Sequence, residues 1–358
     1  MMRRFDWRTL GVLALLCLAR PAVAVDYDVY LLAGQSNMDG RGANHDLVGP
    51  LAPYAGVQTE VRIWYSNGAL RQPMARTDGW VALRPGFSVA PHPPATRGAT
   101  TRSATQSTTT RPIVTRPTVT QPTAIPTTTA RQAAGAAMRP ATRPTTRIAR
   151  PGRLPGLTFG PEIGFAKTLT GAGLPGGRRL AILKFAASGA NLNTEWNPAT
   201  PDLLYAQFVP FARAGLTALK GDGDTVTIRG FVWHQGESDA ALPPEQYQRL
   251  LTELIAAVRR DFDAPGLPVY LGEPYDNGRR LRIRAAQLMT AKAVGNVYVV
   301  GSVGLAAYDG AHFDAQSQIE LGRRFATAVL TGADVMPSPM PDLAAIEPTT
   351  QPAVLDPP

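Results

Sequence analysis

The amino-acid sequence predicts an α/β protein, a three-layer α/β/α sandwich around a mainly parallel five-stranded sheet. Five short apolar runs are typical of buried strands, and amphipathic helical patterns separate them. Strands that alternate with helices indicate parallel pairing, with helices covering both faces of the sheet. In such folds ligands bind at the carboxyl ends of the strands, so the residues that follow each strand are the candidates for function.

The predicted elements follow one another in alternating order along the chain. Strands are expected at residues 27–33, 180–186, 226–234, 268–272 and 296–301, where apolar side chains prevail. Helices are expected at residues 162–170, 203–220, 244–261, 280–294 and 315–330. In the helix at 244–261, Leu250, Leu254 and Val258 recur at helical spacing, while Arg249 and Glu253 face outward.

Residues 1–24 have the pattern of a cleavable export signal. Arg3 and Arg4 form a basic start, residues 10–19 are an apolar run, and small residues end the segment at Ala24. We expect cleavage after Ala24 and a secreted or periplasmic protein. Cleavage would remove Cys17, the only cysteine, so the mature chain would hold no disulfide and no thiol nucleophile. No other stretch is long and apolar enough to predict an integral membrane segment.

A long insertion and a tail flank the second part of the predicted domain at 25–336. Residues 91–155 are rich in Pro and Thr and hold ten Arg but no Lys, Asp or Glu, which predicts a disordered insertion. The Pro-rich stretch 337–358 predicts a disordered tail. The insertion is either a tolerated surface loop, a basic tether for an anionic wall polymer, or a glycosylated stalk.

The formal charge of +9 is unevenly distributed along the chain. Residues 91–155 carry +10 and residues 1–24 carry +3, and subtracting both from +9 leaves −4 for the remainder. The excess positive charge therefore belongs to the insertion and the leader, and no nucleic-acid partner is expected for the domain.

The first predicted strand leads into Gly34-Gln35-Ser36-Asn37-Met38. A serine flanked by glycines at a strand-to-helix turn can expose its hydroxyl and direct its backbone N–H at an oxyanion. The alternative is an ordinary turn, because Gly, Ser and Asn are common there.

The third predicted strand leads into residues 233–239, a run dense in polar side chains. It holds a rival nucleophile, Ser238, because residues 236–240 nearly match the G-x-S-x-G pattern, with Ala240 in place of the second glycine. For Trp233 and His234, core packing is the alternative to a role in the site.

The last predicted strand is followed by Asp309 and His312, three residues apart. An activated serine needs a neutral imidazole to accept its proton and a carboxylate to orient that imidazole. A capping aspartate and a surface histidine are the alternative. Ser36, the pair His234 and Gln235, and this last pair all fall at predicted strand ends, where they could converge.

Metal and cofactor chemistry is not predicted. The four histidines, His45, His92, His234 and His312, show no zinc-binding spacing, and the phosphate-loop and dinucleotide fingerprints are both absent from the sequence.

Five sequence blocks, in order, resemble the SGNH (GDSL-like) hydrolase superfamily, which has a flavodoxin-like fold. More narrowly they look like the sialate O-acetylesterase-type domain and carbohydrate esterase family 6, which includes acetyl xylan esterases. The blocks are residues 34–38, 159–162, 184–189, 233–239 and 309–314. The resemblance implies an exported serine esterase, a carboxylic ester hydrolase that removes O-acetyl groups from a carbohydrate such as xylan.

The resemblance also implies roles for individual residues. Ser36 would be the nucleophile, His312 the general base and Asp309 the group that orients it. The oxyanion hole would comprise the backbone N–H groups of Ser36 and Gly189 and the side-chain amide of Gln235. Possible supporting residues are Asn37, His234 and Glu237.

Two alternatives stay open at this point. One is a sialate O-acetylesterase with the same mechanism, and the other is a non-catalytic protein that binds carbohydrate or the cell wall. The family pattern also often has a second glycine where Ser188 precedes Gly189.

Overall fold

A sheet of eight strands forms the centre of the described part of the chain. The computed structural model describes residues 25–70, 75–88, 157–220, 224–275 and 277–345. The predicted signal at 1–24, the predicted insertion at 91–155 and residues 346–358 of the predicted tail lie outside the described residues.

The strands and helices alternate as the sequence predicts, with small differences at their ends. The strands are β1 (Asp26–Gly34), β2 (Gly42–Ala43), β3 (Gln58–Ala69), β4 (Ala75–Arg76), β5 (Val81–Leu83), β6 (Thr158–Phe159), β7 (Arg179–Ser188), β8 (Thr225–His234), β9 (Val269–Gly272) and β10 (Val297–Val300). The helices are α1 (Ser36–Asp39), α2 (Glu162–Ala172), α3 (Leu204–Leu219), α4 (Pro244–Asp261), α5 (Leu281–Ala293) and α6 (Ala315–Thr331).

The main path of the sheet runs in the order β10, β9, β8, β1, β7, β3, β4. All neighbours from β10 to β3 are parallel, while β4 and β5 are antiparallel to β3. The α/β sandwich with a mainly parallel sheet is thus confirmed, but the prediction of five strands was too low. The strand β3 was missed although it alternates buried Val61 and Ile63 with half-exposed Arg62 and Trp64, a pattern typical of a strand.

Two hydrophobic cores lie on opposite faces of the sheet. Side chains alternate along β1, so Val29 and Leu31 pack into one core and Tyr30 and Leu32 into the other. Helices α3, α4 and α5 cover the first core, and α1, α2 and α6 cover the second. This arrangement gives three layers, with the sheet in the middle.

Two glycines allow α2 and α6 to pack closely. A Cβ atom at Gly164 would lie 2.1 Å from the carbonyl oxygen of Ile319, and one at Gly322 would lie 2.1 Å from that of Pro161. The capping side chain of Asp314 accepts a hydrogen bond from the backbone N–H of Ser317 at the start of α6. This close packing and cap fix the position of the loop that precedes α6.

The chain remains attached to the domain beyond residue 336. The backbone N–H and the hydroxyl of Ser338 both donate to the buried carboxylate of Glu273, at 2.9 and 2.6 Å. A buried carboxylate needs such donors. The tail was predicted to begin at residue 337, but these two bonds hold Ser338 against the domain.

None of the helices in the described ranges has the length and apolar character required to cross a membrane.

Candidate active site

The serine predicted as nucleophile lies at a sharp junction between β1 and α1. Gly34 ends β1 with a φ of 153°, and a Cβ atom there would lie 2.0 Å from the carbonyl oxygen of His234, so only glycine fits. Ser36 begins α1, and the first N–H groups of a helix have no acceptor within it. Its backbone N–H is thereby left for another acceptor.

Strand order explains why distant parts of the sequence meet here. Strand β1 lies between β7 and β8, and Gly34 pairs with Ala186 on one side and His234 on the other. The residues that follow these three strands therefore share one edge of the sheet.

The structure brings Ser36, His312 and Asp309 together. The Nε2 atom of His312 lies 3.0 Å from Oγ of Ser36, and its Nδ1 atom lies 2.6 Å from Oδ2 of Asp309. Strand β10 is three strands away from β1 in the sheet, so the loop of residues 301–314 must reach back across the sheet edge to deliver His312. This geometry suits a serine nucleophile with an imidazole base.

The carboxylate of Asp309 is stabilised in its ionised form. Burial alone would raise its pKa, but hydrogen bonds from the His312 imidazole and from the backbone N–H groups of His312 and Ala311 lower the pKa to about 2. Asp309 is therefore negatively charged at neutral pH and can stabilise an imidazolium on His312.

Gln235 does not lie where the predicted oxyanion role needs it. Its side chain is fully buried, and Nε2 donates to Oδ2 of Asp239 at 2.6 Å, to the carbonyl of Ala190 at 3.2 Å and to Oε1 of Gln35 at 3.1 Å. An amide has only two N–H groups, and three acceptors already compete for them. The structure therefore contradicts the role predicted for Gln235.

Gln35, for which no role is predicted from the sequence, is the residue before Ser36 and carries a side-chain amide bonded to Gln235. Its Oε1 accepts hydrogen bonds from Nε2 of Gln235 and from the backbone N–H of Ser238, at 3.1 and 3.3 Å. Its own Nε2 donates to no residue that the structure describes. Its position next to Ser36, at the end of a predicted strand, is the sequence feature that could have identified Gln35 as a site residue.

Gly189, the other predicted backbone donor, follows β7. It is exposed, and its φ of 77° lies in the left-handed region that favours glycine. Ser188, the departure from the family pattern, accepts a hydrogen bond from Arg41 at 2.7 Å and donates to Asp39 at 3.3 Å.

Comparison with known proteins identifies the family to which the chain belongs. The model of the family described as carbohydrate esterase, sialic acid-specific acetylesterase, matches residues 111–331. The chain belongs to this family. It is therefore a carboxylic ester hydrolase of the carbohydrate O-acetylesterase type. The matched span contains Gly189, Asp309 and His312 but begins after Ser36.

Individual relatives agree with the family at the level of sequence and fold. A probable carbohydrate esterase of Arabidopsis thaliana is 32% identical over 108 residues, which are 29% of this chain and 41% of that protein, so the match spans less than half of the relative. The crystal structure of that Arabidopsis protein has a TM-score of 0.50 at 20% identity and covers 85% of this chain and 98% of its own. The crystal structure of NanS has a TM-score of 0.53 at 14% identity, with 86% and 98% covered. The two structures show a shared fold.

Asn37 of the esterase ties helix α1, which begins at Ser36, to the turn that carries His312. Its Nδ2 donates to Oε1 of Glu237 at 2.7 Å and to the carbonyl of Ala311 at 3.0 Å. Its Oδ1 accepts from the backbone N–H of Phe313 at 3.1 Å. These bonds span both sides of His312 and fix its distance from Ser36.

Glu237 accepts a hydrogen bond from Asn37 and forms none with the hydroxyl of Ser36, whose partner is His312. Burial alone would raise its pKa, but the His234 imidazole 3.6 Å away and the charge of Arg280 lower the pKa to about 2. Glu237 is therefore a buried carboxylate that orients Asn37.

His234 supports the core of the esterase. Its ring is fully buried 5.7 Å from the ring of Phe313, and neither ring nitrogen forms a hydrogen bond with a described residue. Trp233 is also buried, edge-on to Trp196 at 5.0 Å. Trp233 therefore fits the packing alternative, while His234 also pairs with Glu237, its Nε2 lying 3.6 Å from Oε1 of that carboxylate.

Ser238, the rival nucleophile, has no histidine at hydrogen-bond distance from its hydroxyl among the described residues. Its backbone N–H bonds to Gln35, and its hydroxyl forms no hydrogen bond with a histidine of the described ranges. His45 lies at the surface 3.2 Å from Asp46, and His92 lies outside the described residues. No group of three His, Cys, Asp or Glu side chains suited to a metal ion occurs in the described ranges.

Tyr308 is a further residue of the site, for which no role is predicted from the sequence. Its ring stacks on the His312 imidazole at 5.9 Å between centroids and 27° between planes. Burial raises its pKa to about 12, so the phenol stays neutral and covers one face of the imidazole.

Proposed function

We propose that this esterase removes O-acetyl groups from carbohydrates through an acetyl-serine intermediate on Ser36. The observation that carries the proposal is the His312 imidazole, which bridges Oγ of Ser36 at 3.0 Å and Oδ2 of Asp309 at 2.6 Å. Asp309 fixes the tautomer of His312, so that Nε2 is free to accept the proton of the serine hydroxyl.

In the first half of the reaction Ser36 attacks the acetyl carbonyl carbon. His312 takes the proton from Oγ as the new C–O bond forms, and the carbonyl oxygen becomes an oxyanion. The backbone N–H groups of Ser36 and Gly189 and the side-chain amide of Gln35 are the proposed donors to that oxyanion. Each such donor stabilises the transition state by about 2.7–4 kcal/mol.

The intermediate then collapses to acetyl-serine and is hydrolysed. The imidazolium of His312 donates its proton to the leaving sugar oxygen as the bond to the acetyl carbon breaks. His312 next takes a proton from a water molecule as it attacks the acetyl carbon. When the bond between that carbon and Oγ of Ser36 breaks, the imidazolium returns the proton to Oγ, so acetic acid leaves (and ionises to acetate) and both Ser36 and neutral His312 are restored.

Replacing Ser36 tests this assignment directly. We expect Ser36→Ala to abolish hydrolysis of a small acetyl ester, while the matched Ser238→Ala variant keeps it. A serine-directed organophosphonate should label Ser36, and mass spectrometry locates the adduct. Turnover by Ser36→Ala, or an adduct on Ser238, would contradict the proposal.

The two candidate substrates are acetylated xylan and O-acetylated sialic acid. The description of the matched family favours sialic acid. Acetate release measured side by side on acetylated xylan and on an O-acetyl sialic acid decides between them. The non-catalytic alternative is set aside, because the chain belongs to an esterase family.

We further propose that the protein is exported and that its basic insertion recruits it to an anionic polymer. The described residues on either side of the insertion both bind the segment after α1: the hydroxyl of Ser88 donates to the Gly40 carbonyl at 2.8 Å, and the Leu157 carbonyl accepts from Asn44 at 2.9 Å. We propose that the ten arginines of 91–155 hold the exported enzyme near an anionic wall polymer.

Deletion of residues 91–155 tests the recruitment. Activity on a small acetyl ester should survive, while adsorption to an anionic polysaccharide at low salt should be lost. Adsorption that is unchanged by the deletion would rule out the tether. Sequencing the N-terminus of the protein recovered outside the cytoplasm tests cleavage after Ala24.

A further inference from the structure

The turn from Asp309 to Phe313 is held in place by side chains from other parts of the fold. The carbonyl of Gly310 accepts two hydrogen bonds, from Nδ2 of Asn277 at 2.9 Å and from Nη1 of Arg280 at 3.0 Å. Asn37 holds the next carbonyl, that of Ala311. The two residues that precede His312 are thus fixed through their carbonyl groups.

Gly310 is the point at which this turn needs external support. Its φ of 80° lies in the left-handed region, and no heavy atom outside its chain neighbours lies within 4 Å of where a Cβ would be. A glycine in open space has the widest choice of backbone conformations. The two donors to its carbonyl therefore select the conformation that places Asp309 and His312 on one side of the turn.

Arg280 is the buried one of these two donors. It is the residue before α5, and only 6% of it is exposed, although arginine is seldom buried without a partner. Its charge also acts on the Glu237 carboxylate, which accepts a hydrogen bond from Asn37. One guanidinium thus holds the turn through the Gly310 carbonyl, and its charge favours the ionised form of the Glu237 carboxylate.

We propose that Arg280 is a positioning residue, which fixes the Asp309–His312 turn and so keeps His312 within hydrogen-bond distance of Ser36. It acts through its hydrogen bond to the Gly310 carbonyl, and it does not touch the reacting atoms. The inference rests on the proposed function of Ser36 and His312.

Substitution of Arg280 separates this role from substrate binding. Arg280→Met should lower kcat on a small acetyl ester by about 10- to 100-fold, because displacement of a catalytic group by about 1 Å has an effect of this size. KM should change less than twofold. The rate at which an organophosphonate labels Ser36 should fall with kcat, because labelling also needs the His312 base.

Neighbouring variants provide the controls. Arg279 is exposed and its side chain forms no hydrogen bond with a described residue of the turn, so Arg279→Met should retain wild-type kcat. Arg280→Lys keeps the charge and one donor and should recover part of the loss. Asn277→Ala removes the exposed donor to the same carbonyl and should lower kcat by less than Arg280→Met.

The role of Arg280 can be refuted by more than one variant. A folded Arg280→Met enzyme with wild-type kcat would overturn it, as would an equal loss in Arg279→Met. Should Arg280→Met fail to fold, wild-type kcat in both Arg280→Lys and Asn277→Ala would overturn it. An inactive Ser36→Ala beside fully active Arg280 variants would refute only this inference, whereas an active Ser36→Ala would refute the proposed function itself.

Discussion

Gln35 and Gln235, 200 residues apart in the sequence, are joined by a hydrogen bond of 3.1 Å from Nε2 of Gln235 to Oε1 of Gln35. Tyr247 fixes the other end of the Gln235 amide, because its hydroxyl donates to Oε1 of Gln235 at 2.9 Å. Since the acceptors around Gln235 determine which end carries the nitrogen, the orientation of the Gln35 amide is determined as well. Gln235 therefore orients the amide of Gln35, the residue before Ser36.

Removal of the Gln35 amide should therefore slow the chemical step. We expect Gln35→Met to lower kcat on a small acetyl ester by about 10²–10³-fold, the effect of losing one oxyanion donor. Gln235→Met should also lower kcat, and it should reduce the free energy of unfolding more, because it removes one of the donors to the buried Asp239 carboxylate and leaves the backbone N–H of Leu192. Steady-state kinetics with urea unfolding checks both variants, and wild-type kcat in Gln35→Met would eliminate its proposed role.

Replacement of Asp309 tests the orientation of His312. Asp309→Asn should reduce kcat by about 10³–10⁴-fold, because an amide no longer selects the tautomer with a free Nε2 or stabilises imidazolium. The side chain is partly exposed, so the melting temperature should change little at neutral pH. Asp314→Asn, at the α6 cap, is the matched control, and comparable losses of kcat in the two variants would contradict the assignment.

Glu237 should make folding sensitive to acid. Its pKa in the folded protein is about 2, below the ordinary value of 4.5, so the unfolded chain takes up a proton first as the pH falls. Its stabilising contribution is fully present above about pH 4.5 and is lost as the pH falls towards 2. Glu237→Gln should make the decline of the unfolding free energy over this range shallower, as measured by urea titrations at several pH values. A decline as steep as that of the wild type would show that Glu237 does not contribute to it.

The buried ion pair between Lys184 and Glu162 should matter for stability. Nζ of Lys184 lies 2.8 Å from Oε2 of Glu162, and both side chains are fully buried. Nζ also donates to the carbonyls of Asp39 and Phe87, at 2.7 and 2.9 Å. Lys184→Met should lower the free energy of unfolding by about 3–5 kcal/mol, because it leaves a buried carboxylate without its partner.

A double variant provides the check on that pair. Glu162→Gln combined with Lys184→Met removes both charges and should recover part of the loss. Urea unfolding of the two single variants and the double variant measures the coupling. Strict additivity of the two losses would contradict a direct interaction.

Much of the fold follows from local patterns in the sequence. The buried strands and the long helices are recognisable because each carries its own periodicity, and the strand ends identify Ser36, Asp309 and His312 as candidates. The strand β3 carries such a pattern too and was overlooked. The sequence also indicates chemistry at strand ends, since parallel strands share one carboxyl edge.

The partners across the sheet could be decided only by the tertiary structure. No local pattern tells that β1 lies between β7 and β8, or that the loop after β10 reaches back to bring Nε2 of His312 to Ser36. The same holds for Gln235, whose amide is taken up by Asp239, Ala190 and Gln35 instead of facing a substrate. Sequence determines which groups are present and on which element. Their hydrogen-bond partners depend on distances between elements, and packing of the whole chain sets those distances.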